Sequence, residues 1–474
     1  MKMNIIAGPL DIDQAVQYLS FNPAQGQKND FGNTLTGKAL TMDIRSRIDS
    51  HRMGTYQWTI IAIALFINSL DGYDMVAMAF AASAVTDDFG LSGSALGWLL
   101  AAAGIGIALG SLILAPRADR WGRRTVILLG LAIDLVGLVA TALAPNFALL
   151  LAARILTGVG VGAILTCVTV LVSEFSNLRH RGLAVAIYAS GYGLGAAACG
   201  WVAKSFGAWE IIFWVGAALT LVALALAWSI PESPDFLAAR GDSAGVRRLA
   251  LRLGLGSDII VAPAQPSDAA LRDVLSPAWR PISLRLWAAF ALGSSAFGFA
   301  SQWTPKLLDT AGLSAEQGIL GGIMLSVGGT LGSLAFGTLT TRIRAQRLLI
   351  GCCLAAAVVL VAFISLSGAP LAMLVLGVVA GMFLNGCITG FYTVVPAAYP
   401  GALRASAMGA AIGVVRVATT ASPILVGYLV DAGWTPFALY VLFAVLTVAG
   451  GVCLRGIREY RKVHTTPARE RVLV

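Results

Sequence analysis

The sequence predicts an all-α membrane protein with twelve transmembrane helices arranged as two similar six-helix halves. Three observations predict it: twelve separate apolar runs of spanning length, basic residues gathered in alternate connections, and a repeat between the halves. Composition agrees. Of 474 residues, 57% are hydrophobic and only 12% charged, about half the charged share of an ordinary soluble chain. Most of the surface must therefore face something other than water.

A bilayer core of about 30 Å takes about 20 apolar residues as helix. In the first half such runs lie at about 57–82, 95–116, 125–144, 147–173, 183–206 and 209–230. In the second they lie at about 284–306, 316–339, 347–367, 370–395, 405–430 and 435–455. The chain then divides into an N-terminal segment 1–55, a first bundle 56–230, a polar central loop 231–283, a second bundle 284–455 and a basic tail 456–474.

Charge sets the expected orientation. Of 33 Lys and Arg, 29 fall in the two terminal segments and the even-numbered connections. Only Lys204 and Lys306 fall in the odd ones, and Arg154 and Arg416 lie inside spans. Basic residues accumulate on the cytoplasmic side, so both termini are expected in the cytoplasm.

The halves also resemble each other. Residues 91–112 align without gaps to 313–334, and seven of 22 positions match, among them Gly106 with Gly328 and Gly110-Ser111-Leu112 with Gly332-Ser333-Leu334. Small residues at such spacing let helices approach closely. The shared offset of 222 residues is what a duplicated bundle adds. Duplicated bundles support alternating access around a midplane site.

Several other readings are disfavoured. The net charge of +9 suggests nucleic acid, yet the basic residues flank apolar spans. Gly32 to Lys38 reads G-N-T-L-T-G-K, close to a phosphate-binding loop, but Ala39 follows where a magnesium-binding Ser or Thr is needed. The six cysteines lie singly or adjacent within apolar runs and the three histidines in polar segments, so no metal site or disulfide framework is expected. No nucleophile–base constellation points to an enzyme, and no cofactor is expected. No cleavable leader is read, because the first 55 residues are polar and the first apolar run is long enough to span. Met42 opens a stretch that serves equally well as a start, so residues 1–41 read as an upstream extension or a disordered tail.

The loop after the second span reads Ala115-Pro-Arg-Ala-Asp119-Arg120-Trp-Gly122-Arg123-Arg124. It resembles the signature loop of the major facilitator superfamily, with Ala115 in place of the first glycine. Residues 337–346 stand at the same place in the second half, with Thr341 for the aspartate. Arg154-Ile-Leu-Thr-Gly158-Val-Gly160-Val-Gly162 and Pro231-Glu-Ser-Pro234 resemble two further motifs of that superfamily. The resemblance implies its fold over about residues 55–460 and a gating role for Asp119, Arg120, Gly122, Arg123 and Arg124. Physically, an aspartate among arginines at helix ends forms charge-assisted bonds that hold one conformer. Glu174 and Arg181, at the turn between spans 4 and 5, read as part of that network.

A narrower resemblance rests on Leu70-Asp71-Gly72-Tyr73-Asp74, on Ser111 to Arg120, and on Tyr399-Pro400 with Arg404. These are similar to the aromatic acid:proton symporters, which import benzoate-type acids and ring-cleavage products. Gly191 to Gly200 lacks the Gly-Pro pair of drug/proton exchangers, which lowers the efflux reading.

Charged groups at membrane depth are costly and by default functional. Asp71 and Asp74 share one face of the first span. Carboxylates crowded together away from water bind protons more readily, so the pair suits proton coupling; the alternative is a hydrogen bond that fixes a neighbouring helix. Arg154 is a further substrate-binding candidate; it lies about as deep as Asp74, close enough in depth for an ion pair, either gating or static. Arg416, near the middle of span 11, suits bidentate capture of a substrate carboxylate; the alternative is a pair with an aspartate of the first span. Asp134 reads as a structural hydrogen-bond acceptor. Tyr73, Tyr188, Tyr192, Gln302, Trp303, Asn385 and Tyr392 are candidates to stack on a ring or bond a hydroxyl, and each is also an ordinary packing residue.

The expected function is proton-coupled import of a small aromatic or related organic acid anion through the bacterial inner membrane, by a monomer that uses the proton gradient. Moving one anion inward against about 100 mV costs about 2.3 kcal/mol, which a co-transported proton cancels. Proton-coupled efflux of organic compounds and a non-transporting membrane sensor are the alternatives.

Overall fold

The computed structural model describes residues 42–256, 259–260, 271–400 and 403–457. The Gly32–Lys38 segment and most of the 456–474 tail lie outside the described residues. The chain separates into a short unit, Met1–Met42, and a large one, Asp43–Val474, to which the following description applies.

Among the described residues, twelve helices are long and apolar enough to cross a membrane. In the first half they are α1 (Thr55–Phe89), α2 (Gly93–Ile113), α3 (Arg123–Ala142), α4 (Phe147–Phe175), α5 (Arg181–Ser205) and α6 (Glu210–Ala227). In the second they are α7 (Arg280–Thr310), α8 (Ala315–Leu339), α9 (Ala345–Ser365), α10 (Pro370–Ala397), α11 (Arg404–Asp431) and α12 (Pro436–Cys453). Every expected span is there. The largest departure is α1, which runs seven residues beyond the expected end because the polar Thr86–Asp87–Asp88 turn continues the helix until Gly90 adopts φ 59° and stops it. Polar caps fix several starts: the Ser92 side chain accepts from Ala95 N, Asn146 from Leu149 N, and Ser314 and Gln317 form a capping box.

Part of the expected central loop is helical. Pro234–Ala239 and Ser243–Arg252 are helices, capped by Ser233 and Asp242, and the second buries Val246, Leu249 and Ala250. A third short helix, Ile44–Ser50, precedes α1.

The two halves repeat one packing scheme. In the first, α1 packs on α5, α2 on α4, and α3 on both α4 and α6; in the second, α7 packs on α11, α8 on α10, and α9 on both α10 and α12. Between halves, α2 meets α11, α5 meets α8 and α1 meets α7. The close fit of α1 on α5 depends on Gly72, where a β-carbon would stand 1.9 Å from the Tyr192 carbonyl oxygen.

The core is not uniform along the helices. At the end carrying the 1–2, 5–6, 7–8 and 11–12 turns, one apolar cluster runs through both halves, from Tyr73 and Val85 to Phe299, Trp303 and Tyr440. At the other end it splits in two. One cluster belongs to the first half, around Ile127, Leu171 and Leu249, and the other to the second, around Phe290, Tyr399 and Leu454. Apolar burial is the main cohesive term, so the halves are joined at one end and separate at the other.

Candidate functional site

Polar contacts follow the same division. At the joined end Asp431 of α11 accepts from the backbone N–H of Gly93 (2.7 Å) and Ser94 (2.8 Å), capping the start of α2. Ser83 of α1 donates to Asp309 of α7 at 2.8 Å, and Lys204 pairs with Glu316 at 3.0 Å. Where α2 faces α11, a β-carbon at Gly427 would stand 2.3 Å from the Gly93 carbonyl oxygen, and one at Gly97 2.6 Å from that of Pro423. A β-carbon at Gly104 would still meet Thr420 Oγ1 at 2.8 Å. About two and three turns further along the same face of α11, Gly413 and Gly409 have nothing within 4 Å. Between them and Thr420 lies Arg416, at the point where the gap opens.

Arg416 is half-buried, and its guanidinium forms no hydrogen bond or ion pair with any described residue. Asp71 and Tyr192, both of the other half, are within its electrostatic reach. Asp71 is 8% exposed, and its Oδ1 is buried without a hydrogen-bond partner. A cation and a carboxylate thus lie within electrostatic reach of one another across the divide without closing into a pair.

Asp74, one turn along α1, is differently placed. Arg154 Nη1 donates to Asp74 Oδ1 at 2.6 Å, and Nη2 donates to Asp74 Oδ2 at 3.3 Å and to the Asp74 carbonyl at 3.0 Å. The guanidinium also lies over the Phe213 ring at 5.4 Å. Both residues are buried within the first half. Asp134 lies near this pair, accepting from Thr220 Oγ1 at 3.2 Å as expected of a structural acceptor, with its Oδ1 unpartnered.

The aromatic and amide candidates divide. Tyr73 and Trp303 stand inside the packing, their polar atoms donated to the Ile212 (2.7 Å) and Pro423 (3.2 Å) carbonyls, which leaves neither free for a ligand. Gln302 donates to the Met75 carbonyl across the halves at 3.1 Å and keeps Oε1 buried and unpartnered. Tyr188 OH accepts from Thr169 at 3.1 Å. Asn385 Oδ1 accepts from Ser333 at 3.5 Å. Tyr392 is 47% exposed, its ring edge-on to Phe290.

Of the residues expected in the network of the loop after α2, Glu174 joins it while Asp119 and Arg181 do not. Asp119 is exposed and bonds to no described residue. Arg123 instead forms an ion pair with Glu174 and a hydrogen bond to Ser233, which also bonds Glu174. Arg124 donates its backbone N–H to Glu232 at 3.2 Å, and the Arg120 carbonyl accepts from Arg240 at 2.6 Å. Gly122 turns at φ 96°, where a β-carbon would strike the Glu232 carboxylate. Arg181 pairs with Asp49 rather than joining Glu174. The physical reason is local: the segment around Ser233 folds back on the first half and supplies oxygens to Arg123 and Arg124. The roles of Asp431, Asp309 and Ser233 are not visible in the sequence, because their partners lie far away in the chain.

Known proteins resemble this chain in sequence and in fold. The family model of the Major Facilitator Superfamily matches residues 61–371 and 348–473. The chain is 29% identical to the gallate transporter of Pseudomonas putida, over 90% of this chain and 97% of that one. It is 30% identical to the 4-hydroxybenzoate transporter PcaK of Pseudomonas aeruginosa, over 88% and 96% respectively. Among solved structures, a D-xylose-proton symporter superposes with a TM-score of 0.68 at 17% identity, covering 85% of this chain and 98% of that one. With twelve spanning helices in two similar bundles and motifs of that family in place, the chain belongs to the Major Facilitator Superfamily, as a multi-pass transporter of the inner membrane and not an enzyme.

Proposed function

We propose that the protein is a proton-coupled symporter that imports a small aromatic carboxylic acid anion by alternating access. The observation that carries this reading is that Asp71 and Arg416, one from each half, lie within electrostatic reach where the halves part and form no ion pair. A guanidinium that cannot lose its charge, open to a cleft, suits a carboxylate ligand. The transporters of gallate and 4-hydroxybenzoate to which the chain is similar carry ligands of that class.

In this reading Arg416 clamps the carboxylate, and Tyr192, Asn385, Gln302 and Tyr392 border the ring. Asp71 exchanges a proton with the cleft. Asp74 and Arg154 act as a second element that separates when Asp74 is protonated. The Arg123–Glu174–Ser233 cluster holds the first half rigid while it rocks. The open end and both termini face the cytoplasm, as the basic residues favour. No cofactor takes part, the proton gradient supplies the drive, and one chain suffices.

The test is uptake of labelled 4-hydroxybenzoate and gallate into proteoliposomes with an acidic exterior. Accumulation above equilibrium, collapsed by a protonophore, supports the proposal. No flux of either acid under any gradient overturns it, and energised inside-out vesicles that accumulate the acid would establish efflux instead.

A further inference from the structure

At the polar end of the first half, the starts of α1 and α3 and the end of α6 surround an open cleft of about 720 Å³. Tyr56, Arg124, Trp228, Ser229 and Arg252 line it. It carries two fixed positive charges and no carboxylate among its lining residues. Glu232, beside it, turns to the backbone N–H groups of Arg124 and Ser233. The Arg124 guanidinium lies over the Trp228 ring at 5.6 Å, and one Nη donates to the Trp228 carbonyl at 2.6 Å. Two polar atoms in this lining are buried without a partner, the Tyr56 hydroxyl and Arg124 Nε. Buried donors left unsatisfied are costly, and here both are donors beside a concave basic surface.

The surroundings say what kind of anion fits. Leading away from the cleft, α6 exposes Leu221, Val222 and Leu226, and the neighbouring α3 exposes Leu129 and Val136. These are outward apolar faces, the part of a spanning bundle that meets acyl chains. Trp228 itself is 68% exposed, at the level where indoles settle between hydrocarbon and headgroups. Arg252 ends the amphipathic helix Ser243–Arg252, whose apolar face is spent on the bundle and whose Arg247, Arg248 and Arg252 are exposed. A free phosphate has no use for the apolar strip, whereas a lipid uses both.

We propose that this cleft binds the phosphate of an anionic phospholipid headgroup. Arg124 and Arg252 hold the phosphate, Tyr56 and Ser229 supply neutral donors, and the acyl chains lie along α3 and α6. Because the cleft joins α1 to the central segment, the lipid ties the two together. This assignment is independent of the transported substrate.

The experiment is native mass spectrometry of the purified full chain in detergent doped with phosphatidylglycerol or phosphatidylcholine. The protein retains phosphatidylglycerol in preference to phosphatidylcholine. Arg252→Gln combined with Tyr56→Phe weakens that retention about fivefold or more, while Arg252→Lys alone keeps it within about twofold, since charge dominates. Unfolding temperatures in lipid-free detergent confirm that the variants are folded. Equal retention of phosphatidylglycerol by wild type and the folded double variant overturns the site. Full displacement of the lipid by millimolar inorganic phosphate overturns the lipid assignment and makes the ligand a soluble phosphate.

Discussion

Arg154 and Asp74 form a two-pronged ion pair that is almost entirely sealed from solvent, 1% and 3% exposed, between α4 and α1 of the first half. About two turns of α4 separate Arg154 from Gly162, and the glycines between them let α2 and α3 close around the pair. Such a pair is neutral as a unit. Its components are not, and removing either leaves a bare charge in the bundle.

Arg154→Ala should therefore lower stability by about 3–5 kcal/mol, because Asp74 remains buried without its partner. Asp74→Ala in the same background should recover much of the loss, since the uncompensated carboxylate goes with it. Thermal unfolding of the four proteins in one detergent measures the coupling. An unchanged melting temperature for Arg154→Ala alone is incompatible with the pair as described.

Asp71→Asn separates coupling from binding. Its carboxylate has a buried oxygen with no hydrogen-bond partner, and the amide is nearly the same size, so the fold should tolerate it. Uptake driven by an acidic exterior should fall to the background level and lose its dependence on outside pH. Exchange of labelled for unlabelled acid at equal pH, which needs no net proton movement, should persist. Gradient-driven uptake at the wild-type rate removes Asp71 from the coupling mechanism.

Hydropathy alone reveals the twelve spans, because length and apolarity are local properties, and counting residues from helix ends brings Arg154 level with Asp74. What it conceals is azimuth. A helix apolar on all sides, such as α1, does not announce which face meets cavity or core, so Tyr73 and Trp303 read as ligands yet lie in packing. Contacts between distant segments are hidden for a different reason. Asp431 capping α2, 338 positions away from Gly93, and Ser233 bridging Arg123 to Glu174 depend on how the bundles and the central segment dock. The helices at 234–239 and 243–252 were readable in principle from their Ser233 and Asp242 caps, but their short length hid them in a polar stretch.

Asp431→Asn should loosen the joined end. The carboxylate bonds two first-turn N–H groups of a helix in the other half, where its charge also meets the positive end of the helix dipole. Losing that charge at an exposed position is worth about 1 kcal/mol, enough to raise a minor state with this end open about fivefold. Spin labels at Asp87→Cys on α1 and Ala315→Cys on α8 report the separation of the halves there. The longer-distance population should grow in Asp431→Asn, and an unaltered distance distribution means that the cap does not restrain the halves.

Arg416 provides the sharpest test of the substrate class. Its guanidinium stays charged at any accessible pH, so it cannot relieve burial by losing a proton. In the structure it is half-buried at the mouth of the gap, with no pair closed to Asp71. An arriving carboxylate would supply two parallel bonds and a balancing charge, and would sit between the halves where its presence draws α11 toward α1. Arg416→Lys keeps the charge but loses the planar fork, so affinity for 4-hydroxybenzoate should fall about tenfold. Arg416→Ala should weaken it about a hundredfold or more, the range seen when one member of a desolvated charge pair is removed. Wild type should bind 4-hydroxybenzamide, which has the same ring and hydroxyl without the charge, as poorly as Arg416→Ala binds the acid. Calorimetry on the purified protein at one fixed pH measures all three. Equal affinity for the acid and the amide, or an undiminished affinity in Arg416→Ala, would show that the acid is recognised elsewhere and that Arg416 serves only the packing of α11.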